Sequence, residues 1–332
     1  MKLLNRILAP IALTLLSGSA FADPVEPNVA ELKAEFMQTQ NAKGFSNAET
    51  QAFIDNAEFN QAVIDAMTKP WEAKPWHQYY PIFLTEKRLD AGLKFWKEHA
   101  DTIKRASKEF DVDPQIIVAI IGIETFYGGY MGNYPVKDAL YTLGFHYPPR
   151  ATFFRKEFAN LQELVKEENL DINNLKGSYA GAMGFGQFIP SSYRHYSVDF
   201  DKDGSRDLLN SPVDAIGSVA NYFHQHGWQK DQPVALELTL NKALPATVKT
   251  WAGEKMHYKI SDILSPNVAL AKSMDIDISQ PGLVIKLEQQ DHDEYWLGLK
   301  NFYVITRYNR SPLYAMAVYQ FSQELKQAYA TY

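Results

Sequence analysis

The stretch DVDPQIIVAIIGIE, residues 111–124, constrains the fold more than any other part of the sequence. Asp113 and Pro114 are of the types preferred at the N-cap and the first position of a helix. The residues that follow are apolar on nearly every face, and a helix of that kind is buried on all sides. We therefore predict a central helix that runs through the core and ends in one carboxylate, Glu124.

A glutamate at the end of an apolar helix suggests chemistry. Partial desolvation raises the pKa of such a carboxyl group, and a glutamate that is protonated near neutral pH can act as a general acid. The glycines that follow, Gly128, Gly129 and Gly132, would let the backbone turn away and leave room for a ligand. Glu124 could instead cap the helix or form a salt bridge, and the motif alone leaves both interpretations open.

The N-terminal part of the chain is predicted to be helical over residues 28–110. The segment SNAE at 46–49 is a capping box, and residues 85–110 carry an apolar stripe at helical spacing. The Pro- and Trp-rich segment KPWEAKPWHQYYP, residues 69–81, predicts a rigid connection rather than a helix. A further amphipathic helix is predicted over 152–168.

From Gln232 the sequence pattern changes to that of β-strands. VALELTL (234–240) alternates apolar and polar residues, while GLVIKLE (282–288) and NFYVITRY (301–308) are rich in β-branched and aromatic residues. We interpret all three as strands, with a helix resuming after Ser311. The predicted fold class is mainly α with a small β-rich insertion (α+β).

Residues 1–22 predict a secretory signal peptide, with Lys2 and Arg6 before an apolar stretch and Ala20-Phe21-Ala22 as the cleavage site. A membrane anchor is the alternative, but the stretch is shorter than the about 20 residues that a spanning helix needs. The net charge of −6 argues against general nucleic-acid binding. The sequence contains no cysteine, so we expect no disulfide and no lipid anchor on a periplasmic protein.

The stretch GSYAGAMGFGQFIPSSYRHY, residues 177–196, places small residues between aromatic ones. Small residues permit close approach of the backbone to another helix or to a flat ligand. Ser178 and Gln187 add neutral groups of the kind that bind hydroxyls and acetamides, and aromatic rings stack on sugars. A Gly-rich loop that merely packs helices together would explain the glycines but not these polar and aromatic residues.

The segment DFDKDGSRDLLNSPVD, residues 199–214, resembles the start of an EF-hand calcium loop. Asp199, Asp201 and Asp203 occupy positions 1, 3 and 5, glycine follows at position 6, and Ser205 would offer its carbonyl at position 7. Asn210 stands where the closing glutamate is usual. A solvated acidic turn is the alternative, but three neighbouring carboxylates repel one another, so we expect a structural Ca²⁺ and no organic cofactor.

Five blocks of the sequence belong together: AIIGIETFYGGYMG, TLGFHYPPRATFF, GSYAGAMGFGQFIPSSY, SPVDAIGSVANYFHQHGW and YNRSPLYAMAVYQ. Together they resemble the membrane-bound lytic transglycosylase B family, whose members cleave peptidoglycan and have a lysozyme-like core. The resemblance covers about 111–231 and 301–325.

The resemblance implies roles for individual residues. Glu124 matches the single catalytic acid, Arg150 lies where the family places an arginine beside the peptidoglycan, and Asp214 matches the closing calcium ligand. The family often has two adjacent arginines, whereas Pro149 precedes Arg150 here. The positions that match the substrate groove are Ser178, Gln187, Tyr222, Tyr308, Asn309 and Tyr314.

The resemblance also implies a domain order and a reaction. We expect an N-terminal helical domain over 23–110 with the C-terminal helix 311–332 nearby, a catalytic core over 111–231 and 301–310 that includes loop 199–214, and a β-rich domain over 232–300. The expected reaction cleaves the bond between N-acetylmuramic acid and N-acetylglucosamine of glycan strands and leaves 1,6-anhydro ends.

Three points stay open at the level of sequence. A hydrolytic muramidase and a calcium-stabilised peptidoglycan-binding protein are the alternative functions. Asp138 and Glu157 are the candidates for a second acid. Partners among proteins of cell-wall synthesis or remodelling are possible.

Overall fold

The computed structural model describes residues 28–69 and 74–331, so the predicted signal peptide at 1–22 lies outside the described residues. The chain divides into two compact units. The first unit contains residues 28–69 and 127–218, and the second contains 74–126 and 219–331. The stretch 23–110, predicted as one helical domain, therefore contributes to both units.

Helices dominate the part of the chain that the structure describes. In chain order they are α1 (Val29–Asn41), α2 (Asn47–Asp55), α3 (Gln61–Met67), α4 (Trp76–Tyr79), α5 (Glu86–Glu98), α6 (Ala100–Phe110), α7 (Pro114–Thr125), α8 (Val136–His146), α9 (Ala151–Glu167), α10 (Pro190–Tyr196), α11 (Pro212–Gln225), α12 (Ile260–Ile263), α13 (Lys300–Tyr308) and α14 (Pro312–Ala330). None of the helices in the ranges 28–69 and 74–331 has the length and apolarity needed to cross a bilayer.

The first unit is built from helices that pack against one another. Helix α9 contacts α8 and α10, and α1 packs against both α8 and α9. The rings of Phe36, Phe145 and Phe158 meet in this core, with centroids between 5.2 and 6.0 Å apart. The capping box predicted at the start of α2 is present, since the side chains of Ser46 and Glu49 each accept a hydrogen bond from the other residue's backbone N–H.

The second unit is centred on α7, which contacts α5, α6 and α14. Every residue of α7 from Gln115 onward is buried, as the apolar sequence predicted. Asp113 is the N-cap residue, but its side chain does not cap the helix. Its Oδ2 instead accepts hydrogen bonds from Trp228 Nε1 at 2.8 Å and from the backbone N–H of Asp231 at 3.3 Å.

The predicted β-rich insertion forms an antiparallel five-stranded sheet within the second unit. The strands in chain order are β1 (Tyr134–Pro135), β2 (Lys176–Gly177), β3 (Ala235–Leu240), β4 (Tyr258–Lys259), β5 (Val268–Leu270), β6 (Pro281–Glu288) and β7 (Asp293–Gly298). The strand order of the sheet is β4-β6-β7-β3-β5, and buried Leu238, Val284 and Leu297 lie in its core. A two-stranded ribbon of β1 and β2 in the first unit pairs Tyr134 with Gly177.

Two local predictions were wrong. NFYVITRY forms helix α13 rather than a strand, because Phe302, Val304 and Ile305 are all buried in the helical form, and this packing outweighs the β preference of the branched residues. Within 69–81, a short helix forms at Trp76–Tyr79 where only a rigid connection was expected. Pro75 stands at its N-cap, and burial of Trp76 and Tyr79 fixes the helix in the core.

Candidate active site

Glu124 lies in the last turn of α7, and only 6% of its surface is exposed. The helix ends because Phe126 takes a left-handed conformation, with φ 53°, and its N–H donates to the carbonyl of Gly122 at 3.0 Å. The apolar sequence therefore carries one carboxyl group into the interior of the second unit.

The hydroxyl of Tyr314 holds the Glu124 carboxyl group in place. It donates a hydrogen bond to Glu124 Oε1 at 2.5 Å, and Tyr314 itself is fully buried. Tyr314 stands in the first turn of α14, where its N–H donates to Oγ of the N-cap residue Ser311. The cap that starts α14 therefore also aims the tyrosine at the acid.

The electrostatic setting keeps Glu124 protonated at neutral pH. Burial raises the pKa of Glu124 to about 8, and the hydrogen bond from Tyr314 opposes part of that rise. Burial, followed by the nearby charge of Glu124, raises the pKa of both Tyr308 and Tyr314 well above the usual value for a phenol. The site therefore contains one proton donor among neutral hydroxyls, an arrangement suited to general acid catalysis.

Three more of the predicted site residues also belong to the second unit. The hydroxyl of Tyr222 donates to the carbonyl of Arg307 at 2.6 Å, and the rings of Tyr222 and Tyr308 meet edge to face at 4.7 Å. The side chain of Asn309 accepts a hydrogen bond from the N–H of Ser311 at 3.0 Å. The structure thus brings Tyr222, Tyr308, Asn309 and Tyr314 together around the segment that joins α13 to α14.

The two candidates for a second acid belong to the first unit and have partners there. Asp138 accepts a hydrogen bond from the N–H of Glu58 at 3.0 Å. Glu157 is buried, which raises its pKa, and it accepts a hydrogen bond from the N–H of Ser191 at 2.9 Å. Among the described residues of the second unit, no carboxylate contributes to the pKa shift of Glu124.

Ser178 and Gln187 organise the glycine-rich loop of the first unit. Ser178 Oγ accepts hydrogen bonds from the N–H groups of Ala180 and Ala182, at 3.2 and 3.1 Å. Gln187 has φ 51°, and its Nε2 donates to the carbonyls of Met131 and Gly184. Both side chains are buried and engaged with backbone, so their contact with a substrate stays a prediction.

Arg150 lies in the first unit at the start of α9. Its guanidinium group covers the rings of Phe153 and Phe154, at 4.3 and 5.3 Å from their centroids. Phe153 is among the most exposed large apolar residues, with 36% of its surface accessible. The role of this stacked arginine beside a peptidoglycan stem stays a prediction.

The predicted calcium loop gathers its carboxylates. Asp199, Asp201 and Asp203 each place one oxygen within 4.8 Å of the others, which is the geometry that a cation would bridge. Asp199 also accepts hydrogen bonds from the N–H groups of Asp203 and Gly204. Gly204 has φ 98°, the left-handed conformation that its position in the loop requires.

Asp214 stabilises the acidic loop of the first unit through hydrogen bonds from the backbone. It is fully buried, and its Oδ1 accepts hydrogen bonds from the N–H groups of Phe200 and Asp201, while Oδ2 accepts one from Asp207. These bonds tie together the two ends of the acidic loop. The ligand roles of Asp214 and Ser205 stay predictions.

Sequence reasoning missed two residues near the acid. Tyr79 lies close enough to Tyr314 to add to the rise in its pKa, and Arg88 is bonded to the end of α7. Arg88 is exposed to solvent by only 2%, and an arginine at a buried position of an apolar stripe was the available signal.

Comparisons with known proteins agree on one family. Residues 28–323 match the family described as Transglycosylase SLT domain. The chain is 38% identical over 327 residues to membrane-bound lytic murein transglycosylase B of Escherichia coli (strain K12), a match that covers 92% of this chain and 88% of that protein.

Two solved structures are similar over nearly the whole chain. Soluble lytic transglycosylase SltB1 from Pseudomonas aeruginosa has a TM-score of 0.82 at 42% identity, and the match covers 91% of this chain and 99% of that one. The Escherichia coli lytic transglycosylase Slt35, solved in complex with calcium, has a TM-score of 0.81 at 38% identity, covering 93% and 96%. These matches confirm the predicted fold class.

Proposed function

This chain belongs to the Transglycosylase SLT domain family and is a peptidoglycan lytic transglycosylase, and we propose that Glu124 is the single acid and base of its reaction. The family resemblance drawn from the sequence is confirmed. The observation that carries the proposal is the buried Glu124 carboxyl group, whose pKa of about 8 keeps it protonated at neutral pH.

In the first step Glu124 gives its proton to the oxygen that joins N-acetylmuramic acid to N-acetylglucosamine. The bond between that oxygen and the anomeric carbon breaks, and the 2-acetamido group of the muramic residue assists at the anomeric carbon. Protonating the leaving oxygen is the usual task of a glycosidase carboxylic acid. Glu124 is left as a buried carboxylate, which the hydrogen bond from Tyr314 stabilises.

In the second step the Glu124 carboxylate removes the proton from the C6 hydroxyl group of the muramic residue. The C6 oxygen then forms a bond with the anomeric carbon, which gives a 1,6-anhydro end and returns Glu124 to its protonated form. No water is consumed, so a second carboxylate to activate water is not needed. This fits the electrostatics of the second unit, in which burial and Tyr314 account for the state of Glu124.

Calcium is the metal that we propose for the acidic loop of the first unit. Asp199, Asp201 and Asp203 present oxygen ligands close together, and hard cations such as Ca²⁺ prefer such ligands. The related Slt35 was solved with calcium, which supports this assignment. A bound ion would offset the mutual repulsion of the carboxylates and stabilise the loop, and it has no part in the proton transfers.

The substrate also suggests where the protein acts. Peptidoglycan lies outside the cytoplasmic membrane, so we place the protein in the periplasm, as the predicted signal peptide at 1–22 does. Glycan strands are its binding partner in this proposal, and proteins of cell-wall synthesis or remodelling are the candidates for protein partners.

The experiment that tests the proposal is clearance of purified sacculi by the wild-type protein, Glu124→Gln and the matched control Glu157→Gln. Loss of general acid catalysis costs roughly 100- to 10,000-fold in rate, so Glu124→Gln should be inactive in this assay. Glu157→Gln removes another buried carboxyl group and should leave clearance within a few fold of wild type. Clearance by Glu124→Gln at the wild-type rate would contradict the assignment.

A further inference from the structure

Arg88 is a buried cation directly attached to the end of the helix that carries Glu124. Its Nε donates to the carbonyl of Gly122 at 3.2 Å, and its Nη1 donates to the carbonyls of Ile82 at 2.8 Å and Phe83 at 2.5 Å. Only 2% of Arg88 is exposed. One guanidinium group therefore links α5, the turn before it and the last turn of α7.

The place where Arg88 attaches is the point at which α7 stops. The Gly122 carbonyl accepts two hydrogen bonds, one from Arg88 and one from the N–H of Phe126. Phe126 and Tyr127 have φ values of 53° and 60°. Residues that carry a Cβ rarely adopt this left-handed backbone conformation, and it persists where the surrounding structure enforces it.

Arg88 also helps to hold Phe126 in this backbone conformation, because it packs against the Phe126 ring. Its guanidinium carbon lies 5.3 Å from the centroid of the Phe126 ring and 5.5 Å from that of Phe83. The cation therefore contacts both the carbonyl that receives the turn's hydrogen bond and the side chain of the residue that makes the turn. Glu124 lies between these two points of attachment in the sequence.

We propose that Arg88 is a positioning residue for Glu124, which locks the left-handed turn after α7 and so fixes the carboxyl group against Tyr314. The inference rests on the proposed role of Glu124 as the acid. Because Arg88 is buried and serves backbone carbonyls, it acts on the rate of the chemical step rather than on the binding of the glycan.

The structure also predicts how loss of Arg88 affects the proton on Glu124. After burial, the charge of Glu124 raises the pKa of two titratable groups of the second unit, the tyrosines Tyr308 and Tyr314. When the turn relaxes, water gains access to the carboxyl group and its pKa falls from about 8 toward the ordinary value of 4.5. The activity should then be lost at a lower pH on the alkaline side of the profile.

The test compares kcat, KM and the pH profile of Arg88→Met and Arg88→Lys on soluble glycan oligomers with those of Lys87→Met. Lys87 is the matched control, because its amine lies 5.7 Å from the same Phe126 ring but is exposed. A misplacement of about 1 Å at a catalytic group costs on the order of 100-fold. Arg88→Met should therefore lower kcat by roughly 10- to 100-fold and change KM little, with the alkaline limb at lower pH.

Arg88→Lys should fold more readily than Arg88→Met. Its alkaline limb should still lie at lower pH, as in Arg88→Met, because an ammonium group cannot reproduce the planar fork of donors. Lys87→Met should resemble wild type. Phe126→Gly supplies the left-handed turn without a Cβ, so each Arg88 substitution should cost less in that background than alone.

Two results would overturn the positioning role. One is an alkaline limb at the wild-type pH in both Arg88 variants, with only reduced melting temperature or active fraction. The other is strict additivity of Arg88→Lys with Phe126→Gly. Activity of Glu124→Gln would instead remove the proposed function itself, and its inactivity together with normal Arg88 variants would remove the positioning role alone.

Discussion

Replacing Glu124 by glutamine should make the protein more stable, and the gain should grow with pH. Glutamine keeps the shape of the side chain and can still accept the hydrogen bond of Tyr314. The folded protein holds the Glu124 carboxyl group at a pKa of about 8, whereas the unfolded chain releases the proton at the ordinary value of 4.5. The acid therefore stabilises the fold fully only below pH 4.5, and that contribution is lost as pH rises to 8.

The magnitude follows from proton linkage. Each unit of pH between the two pKa values costs the wild-type protein about 1.4 kcal/mol of unfolding free energy. Between pH 5 and pH 8 the accumulated loss is about 3 to 4 kcal/mol, and glutamine does not titrate. The advantage of Glu124→Gln over wild type should increase by roughly that amount across this interval.

Urea unfolding at pH 5 and pH 8, followed by tryptophan fluorescence, measures the effect. Glu237→Gln removes an exposed carboxyl group of the same unit and serves as the control, for which we expect no such growth. Unfolding free energies of wild type and Glu124→Gln that change in parallel between the two pH values would refute the raised pKa. The Glu124 carboxyl group would then not hold its proton at neutral pH, and the proposed proton transfer to the glycosidic oxygen would lose its basis.

Two further predictions concern Tyr314 and the acidic loop. Tyr314→Phe removes the hydrogen bond that lowers the pKa of Glu124, and a hydrogen bond to a charged group is worth about 1.5–3 kcal/mol. The alkaline limb of the pH profile of kcat/KM should therefore move up by about one pH unit or more. A limb that stays at the wild-type pH would contradict the assignment of Glu124 as the acid. Calcium should raise the melting temperature of the wild-type protein but not that of Asp201→Ala. The control Asp171→Ala removes an exposed aspartate outside the loop and should keep the rise in melting temperature. A melting temperature of the wild type that does not change with calcium would count against the calcium site.

The elements with strong local signals were predictable from the sequence. Helix α7 follows from an uninterrupted apolar run after Asp113-Pro114, and strands β3 and β6 follow from alternation and β-branched residues. The helix α13 was not predictable in this way, because its branched residues prefer strands and only their burial in the folded protein makes them helical. Local preference decides an element where tertiary packing does not oppose it.

Around Glu124, too, some features were predictable from the sequence and others were not. Glu124 stood out because one charged group ended an apolar helix, and its raised pKa was expected from desolvation. The hydrogen bond from Tyr314 joins residues 190 positions apart, and Arg88 reaches Gly122 from another helix. Such contacts depend on how helices pack, which a sequence pattern with a period of a few residues does not contain. The hydrogen bonds that Asp214 accepts from the backbone of its own loop were also missed, because they depend on the conformation of the loop, which the residue pattern does not give.

Mass spectrometry of the products formed from purified sacculi in H₂¹⁸O tests the central claim most directly. The wild-type protein should release muropeptides with 1,6-anhydro ends, which lack one water relative to the reducing sugar and carry no ¹⁸O, and Glu124→Gln should release none. Reducing ends labelled with ¹⁸O would show that water attacks the anomeric carbon, which would contradict the transfer to the C6 hydroxyl group and make the protein a hydrolase.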